Sequence, residues 1–526
     1  MNPPSSILPS TDGDDLAILN TTFVAISEFI LSIPGSAGVL RYIKTSYQDD
    51  PFRVVLELIL VFFAIQYMSA KKYKIDDNAV KLTSKEIDEL VTEWTPEPLV
   101  PPLSDQDRLD LEKSTLITGA QGPKPRVGSN QKPLLNLASA NYLGLCSSDR
   151  IKEKAVQTLR EYGVGSCGPP GFYGTIDVHM DLERNIAQFL GVEEAIIYAQ
   201  GFSTISSVVP AFAKRGDVIV VDDGVNFAIQ KGVFISRSNV RWFKHNDVND
   251  LERVLEDIRV EDLVLKKRLT RRFIVTEGLF QNHGDIAPLP KIIELKRKYK
   301  YRLILDESQS FGVLGRRGAG LTDLFDIPAQ EVDMIVGSMA TSLCSAGGFC
   351  AGSHEIVDHQ RLSGSAYCFS ASIPAMLAVS TSEALAILSS TPTLLTDLHD
   401  RARLLRSILA HRSLTPLIDL YAPEPDHPAP FLHIRARETF LASRLRDGER
   451  AVPREDEERL WQEVVDECAN QGVMITRAKY VVKQEVNCPR PSVRVCVSAA
   501  HTRKECEKAA GAVKSAIVKV FGRWRK

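Results

Sequence analysis

Five stretches of this 526-residue chain end an apolar run in side chains or glycines that can do chemistry. They are YAQGFST (198–204), VDDGVN (221–226), EGLFQNHGD (277–285), LDESQSFG (305–312) and GSMATSLCSAGGFCAGS (337–353). Asp306 closes one such run, where a carboxylate can face a cationic ring nitrogen and keep it protonated. A strand–glycine–helix start such as YAQGFST offers backbone N–H groups to a phosphate. A pyridoxal phosphate site needs both, together with a ring-stacking group and a lysine amine for the covalent link. The amine is missing: after Lys300 there is no lysine until Lys479, so the turn at 337–353 has none to present.

The elements around these stretches explain why they belong together. The β-branched runs AIIYAQG, DVIVVDD, VRWFKH, RRFIVTEGLF, YRLILDES and DMIVGSM read as strands. FSTISSVVPAFA, LERVLEDIRVEDLV and LPKIIELKRKY read as helices between them. Such alternation predicts an α/β fold with a mainly parallel sheet covered by helices. The five stretches then fall on one edge of the sheet, which in open α/β folds is the ligand edge. After about Thr391 the pattern loosens into a smaller α+β domain. There YAPEPDHPAP and RLRDGERAVPREDEER read as loops, VMITRAKY and SVRVCVS as strands, and a last helix starts at the capping box Thr502…Glu505.

The amino-terminal part is of another kind. Val54–Met68 is apolar apart from Glu57 and Gln66, and 51–70 is long enough for a transmembrane helix, which takes roughly 17–25 residues. Lys71, Lys72 and Lys74 follow it directly, which predicts a cytosolic body and a lumenal segment 1–50. No basic residue precedes Arg41, which argues against a cleaved signal peptide. Leu16–Ile33 reads as an interfacial helix, with a second span as the alternative. Residues 71–132 read as a connector, since TPEPLVPP holds neither helix nor sheet. The folded body divides into a large domain, 133–390, and a small one, 391–526. A net charge of −2 gives no reason to expect nucleic acid, and the 9 cysteines show no metal-ligand spacing, so no metal site is read.

In order along the chain, NLASANYLGL, YGVGSCGPPGFYGTIDVHMDLE, GFSTISSV, GDIAPLP, DESQSFGVLG and SAGGF resemble the α-oxoamine synthase family over about 133–510. Those are pyridoxal phosphate enzymes with the fold type I aminotransferase fold, condensing an amino acid with an acyl-CoA. The resemblance implies that Thr341 stands where the family carries its lysine, Asn226 where it carries the ring-stacking histidine, and Gln309 where it carries a second histidine. Only Asp306 is retained. A self-sufficient homodimeric acyltransferase is excluded by the missing amine.

This profile is similar to that of the family's lysine-less membrane subunits. It implies a lysine-bearing catalytic partner that holds the pyridoxal phosphate, with serine and palmitoyl-CoA condensed to 3-ketosphinganine at a shared site. It also implies an endoplasmic reticulum membrane location, a small activating subunit and ORM-type regulators. Residues expected to complete the partner's site are Ser166, Cys167, Gly168, Phe172, Tyr173, Ser370 and Ser372. The alternative is a membrane-anchoring scaffold with no part in the chemistry, in which Cys167 is a small buried hydrophobe and the two serines cap a turn before Pro374. His179 and His283 receive no catalytic role.

Overall fold

The computed structural model describes residues 34–69, 82–100, 102–103, 105–112, 115–128, 132–421 and 427–524. They form two units, Met1–Pro102 and Leu103–Lys526. In the first, Pro51–Ser69 is a 19-residue helix of mean hydropathy 1.8 with none of its apolar window buried. At 1.5 Å per residue it spans about 28 Å, close to the hydrocarbon thickness of a bilayer. Its acid, Glu57, pairs with Arg53 one turn earlier at 3.0 Å, which reduces the cost of carrying a charge there. It is the one helix among the described residues that is long and apolar enough to cross a membrane. Leu16–Ile33 and Lys71, Lys72 and Lys74 lie outside the described residues. The span read as a connector carries regular structure: Ser84–Glu93 is a helix held at its start by a reciprocal Thr83–Glu86 capping box, Asp105–Glu112 is a second helix, and Ile117–Thr118, Arg126–Val127 and Lys132–Pro133 pair antiparallel.

The second unit is built on a seven-stranded sheet. Its strands are β1 (Glu194–Tyr198), β2 (Val218–Asp222), β3 (Asn239–Phe243), β4 (Arg272–Glu277), β5 (Arg302–Asp306), β6 (Met334–Ser338) and β7 (Gly348–Gly352). The order across the sheet is β1-β7-β6-β5-β4-β2-β3. All pairs are parallel except those of β7, which runs antiparallel to both β6 and β1. The six β-branched runs are therefore strands as expected. β7 (GFCAG) is the reversed one, following directly from the turn that lacks the lysine. Its glycines are required by close packing: a Cβ on Gly348 would stand 2.4 Å from Thr204 Oγ1 and 2.7 Å from the Gly337 carbonyl.

Helices cover the sheet, and its strands other than the edge strand β3 are buried on both faces, which is why they read as continuous apolar runs rather than alternating ones. The smaller sheet is antiparallel, in the order β8 (Ile418–Leu420), β9 (Phe431–Ala436), β11 (Val493–Cys496), β10 (Thr476–Arg477). The last helix, Arg503–Arg523, opens on the expected Thr502–Glu505 capping box. The charged stretch read wholly as loop is corrected: Arg454–Asn470 is a helix that begins inside it. Pro453 stands just before its first turn, and Glu455, Asp456 and Glu457 complement the positive end of the helix dipole. Leu135–Asn136 pairs in parallel with Val473–Met474.

Candidate functional site

The strand ends β2, β4 and β5 bring the expected cofactor-facing residues to one place. Asp306 ends β5 and is 2% exposed. Its Oδ1 accepts the Ser308 N–H at 2.8 Å, and its Oδ2 faces Asn226 Nδ2 at 3.4 Å. The Ser308 carbonyl in turn accepts the Thr341 hydroxyl at 3.0 Å. Asn226, Asp306, Ser308 and Thr341 are thus linked by hydrogen bonds. Gln309 stands at the same loop and accepts the Tyr142 hydroxyl at 2.9 Å.

Asn226 caps a helix. Its Oδ1 accepts the N–H groups of Ala228 and Ile229 at 2.9 and 3.2 Å, capping the helix Phe227–Ser236. The aromatic group at this helix start is the next residue, Phe227, whose ring lies 6.2 Å from that of Phe202. Asx-type capping was legible in the sequence, since Asn before an apolar helix is a start signal.

Two further carboxylates escaped the sequence reading. Glu277 ends β4 directly beside Asp306 in register and is 1% exposed. It accepts the Asn226 N–H at 2.5 Å and the Gln281 N–H at 2.9 Å. Burial, and then the neighbouring Asp306 charge, pushes the Glu277 carboxyl well above the usual carboxylate range. Burial raises Asp306 as well. No ion pair reaches either group among the described residues, so the pair favours holding a proton. Glu307 is structural: it accepts the Leu321 N–H at 2.8 Å and the Ser310 hydroxyl, in a space that Gly278 and Gly320 leave open.

The residues present do not fit covalently held pyridoxal phosphate. Thr341 has no amine to form the covalent link, and its hydroxyl donates to the Ser308 carbonyl at 3.0 Å.

The second set of expected residues also converges. Ser166 donates its hydroxyl to the Ser372 carbonyl at 2.8 Å, and the Ser372 N–H donates to the Gly168 carbonyl at 3.0 Å. His179 fixes the join: its Nδ1 accepts the Ile176 N–H at 3.1 Å while Nε2 donates to the Ile373 carbonyl at 2.6 Å. Both nitrogens serve the backbone, which leaves His179 no free proton-transfer role. Between these segments lies a cavity lined by Pro170, Thr175, Tyr198, Arg361, Ser370 and Ser372, among others.

The loop itself is tightly wound. A Cβ on Gly174 would sit 2.0 Å from the Gly168 carbonyl oxygen, so only glycine fits there. Its tips point outward: Phe172 is 68% and Tyr173 101% exposed. Cys167 is exposed with a φ of 58°, so its reading as a buried hydrophobe is corrected.

The aminotransferase class I and II family profile matches residues 132–513. Serine palmitoyltransferase 1 of Dictyostelium discoideum is 40% identical over 459 residues, covering 87% of this chain and 91% of that one. Long chain base biosynthesis protein 1b of Oryza sativa is 38% identical over 506 residues, covering 96% and 99%. Serine palmitoyltransferase 1 of Saccharomyces cerevisiae is 36% identical over 520 residues, covering 93% of each. Among solved structures, Sphingomonas wittichii serine palmitoyltransferase has the same fold, with a TM-score of 0.67 at 22% identity, covering 84% of this chain and 99% of that one. The chain belongs to the aminotransferase class I and II family and, within it, to the serine palmitoyltransferase 1 and long-chain-base 1 group of transferases.

Proposed function

We propose that this chain is the non-cofactor-binding subunit of a heteromeric serine palmitoyltransferase. Its task is to support condensation of serine with palmitoyl-CoA to 3-ketosphinganine, the entry to sphingolipid synthesis. The observation that carries this reading is the Asn226–Asp306–Ser308–Thr341 chain of hydrogen bonds, which ends in a hydroxyl where an amine would be needed. Pyridoxal phosphate, which supplies the electron sink for such a condensation, is then held by the lysine of a partner subunit.

This chain's own residues act by position. Ser166 and Gly168 lock the loop 166–173 to Ser372 and set Phe172, Tyr173 and Cys167 at the surface toward the partner. Ser370 and Ser372 line the cavity behind that loop. A group misplaced by about 1 Å can cost on the order of 100-fold in rate, so a loop held this firmly suits a shared site. Pro51–Ser69 anchors the assembly in the endoplasmic reticulum membrane, with the segment 1–50 lumenal and the body cytosolic. A small activating subunit and ORM-type regulators complete the assembly.

The test is to purify this chain alone and with a lysine-bearing partner, then assay serine and palmitoyl-CoA condensation. Activity is expected only from the pair. Turnover by this chain alone would overturn the reading. A pair in which Phe172→Ala and Tyr173→Ala leave both assembly and rate unchanged would favour the scaffold alternative.

A further inference from the structure

Beside the degenerate cofactor site, three loops on the same sheet edge bring together groups that no step above uses. β2 ends in Asp222, β3 is followed by His245 and Asn246, and β4 is followed by His283 and Asp285. The His245 ring stands between two carboxylates, with Nδ1 2.8 Å from Asp222 Oδ1 and Nε2 2.9 Å from Asp285 Oδ2. The His283 ring stacks on it at a centroid distance of 4.0 Å. One ligand atom each from His245, His283 and Asp285 lie within 4.8 Å of one another.

Among the described residues, three polar atoms in this cluster are buried without a hydrogen-bond partner: His283 Nδ1, Asp285 Oδ1 and Asn246 Oδ1. His283 as a whole is only 9% exposed. Two of these atoms are oxygen lone-pair donors, and the imidazole nitrogen is a third in the tautomer protonated at Nε2. Buried lone pairs left unmet are costly. A cation held between the imidazole and carboxylate ligand atoms, which lie within 4.8 Å of one another, would meet lone pairs that have no proton to share. An imidazolium clamped by two carboxylates accounts for His245 and leaves the three orphaned atoms unexplained.

We propose that His245, His283 and Asp285 form a binding site for a divalent first-row transition ion, with the Asn246 carbonyl as a further oxygen ligand. Two imidazoles and one carboxylate suit zinc and its neighbours rather than magnesium or calcium, which prefer oxygen alone. Asp222 supplies the outer support such a site needs, since its bond to His245 Nδ1 fixes that ring's tautomer and turns Nε2 toward the ion. Among the described residues, a cavity lined by Asn246, Asp285, Tyr421 and His427 adjoins the cluster. Because the ligands come from the loops after β3 and β4, the ion would tie these two strand ends together.

The test uses the full-length chain in its purified assembly, stripped with a chelator and titrated with Zn(II) against a chromophoric competitor. One tight equivalent is expected that weakens at least tenfold in both His283→Ala and Asp285→Asn. Assembly and far-UV circular dichroism of each variant are checked in parallel. Should Asp285→Asn fail to assemble, His283→Ala alone decides. No tight equivalent in the wild-type chain, or one that survives His283→Ala unchanged, would overturn the proposal.

Discussion

Replacing Asn226 by aspartate separates its two roles. Asp caps a helix as well as Asn does, so the bonds to Ala228 and Ile229 can be kept. The other face of the side chain is different. There Asn226 Nδ2 meets Asp306 Oδ2 at 3.4 Å, and the Asn226 N–H meets Glu277 Oε1 at 2.5 Å. Asn226→Asp would bury a third carboxyl among two whose own carboxyls already sit above their ordinary range. Its folded-state pKa must therefore rise above the unfolded value of about 3.9. A raised carboxyl costs nothing below its unfolded pKa and an increasing amount above it, by about 1.4 kcal/mol per pH unit, until the folded pKa is passed. Between pH 5.5 and 8 the variant should lose up to about 3 kcal/mol more than the wild type. Asn226→Ala, which loses the cap, should instead cost about 1–2 kcal/mol with little dependence on pH. Urea denaturation of the purified assembly at the two pH values, followed by a probe on this chain, measures both. An Asn226→Asp variant as stable as the wild type at pH 8 would show that the three groups are not coupled, and the account of this pocket would fail.

Cys167 is exposed but held at a φ of 58°, so Cys167→Trp should cost no more than about 1–3 kcal/mol and leave the chain folded. It should nonetheless lower condensation by the assembled pair tenfold or more, while Cys167→Gly, which suits a φ of 58°, should be near neutral. Stoichiometric assembly by gel filtration and a rate assay test this, and a wild-type rate for Cys167→Trp would return the loop to a scaffold role. Thr502→Ala removes the cap of Arg503–Arg523 and should cost about 1 kcal/mol in a denaturant titration; no change would mean the box is not formed in solution. Burial holds His501 down to about 4, so its neutral form stabilises the fold fully above about pH 6.5. That contribution is lost as pH falls from about 6.5 toward 4, and the urea midpoint should drop more steeply over this range for the wild type than for His501→Asn. Equal slopes would refute it.

The central parallel strands were legible because they are short β-branched runs buried on both faces, and the edge they present follows from their alternation with helices. Their lateral order was not. β7 reads as GFCAG, with too few β-branched residues to announce a strand, and its reversal is fixed by contacts such as Gly348 on Thr204 that no local pattern encodes. The missing amine at Thr341 was visible as an absence. The partners of the remaining groups were not, because Glu277 meets Asp306 through strand register across 29 positions of sequence rather than through any motif. The start of Arg454–Asn470 was obscured by reading charge as solvated loop, although Pro453 and three acids mark a helix start. Likewise His245 and His283 belong to separate stretches, and only the sheet brings their rings together.

The central claim is that this chain presents a site and does not hold the cofactor. Borohydride reduction of the purified two-subunit assembly, followed by peptide mass spectrometry of both chains, tests it most directly. The account predicts a pyridoxyl adduct on one lysine of the partner and none anywhere on this chain, with the peptide containing Thr341 recovered unmodified. A stoichiometric adduct on any lysine of this chain would contradict it.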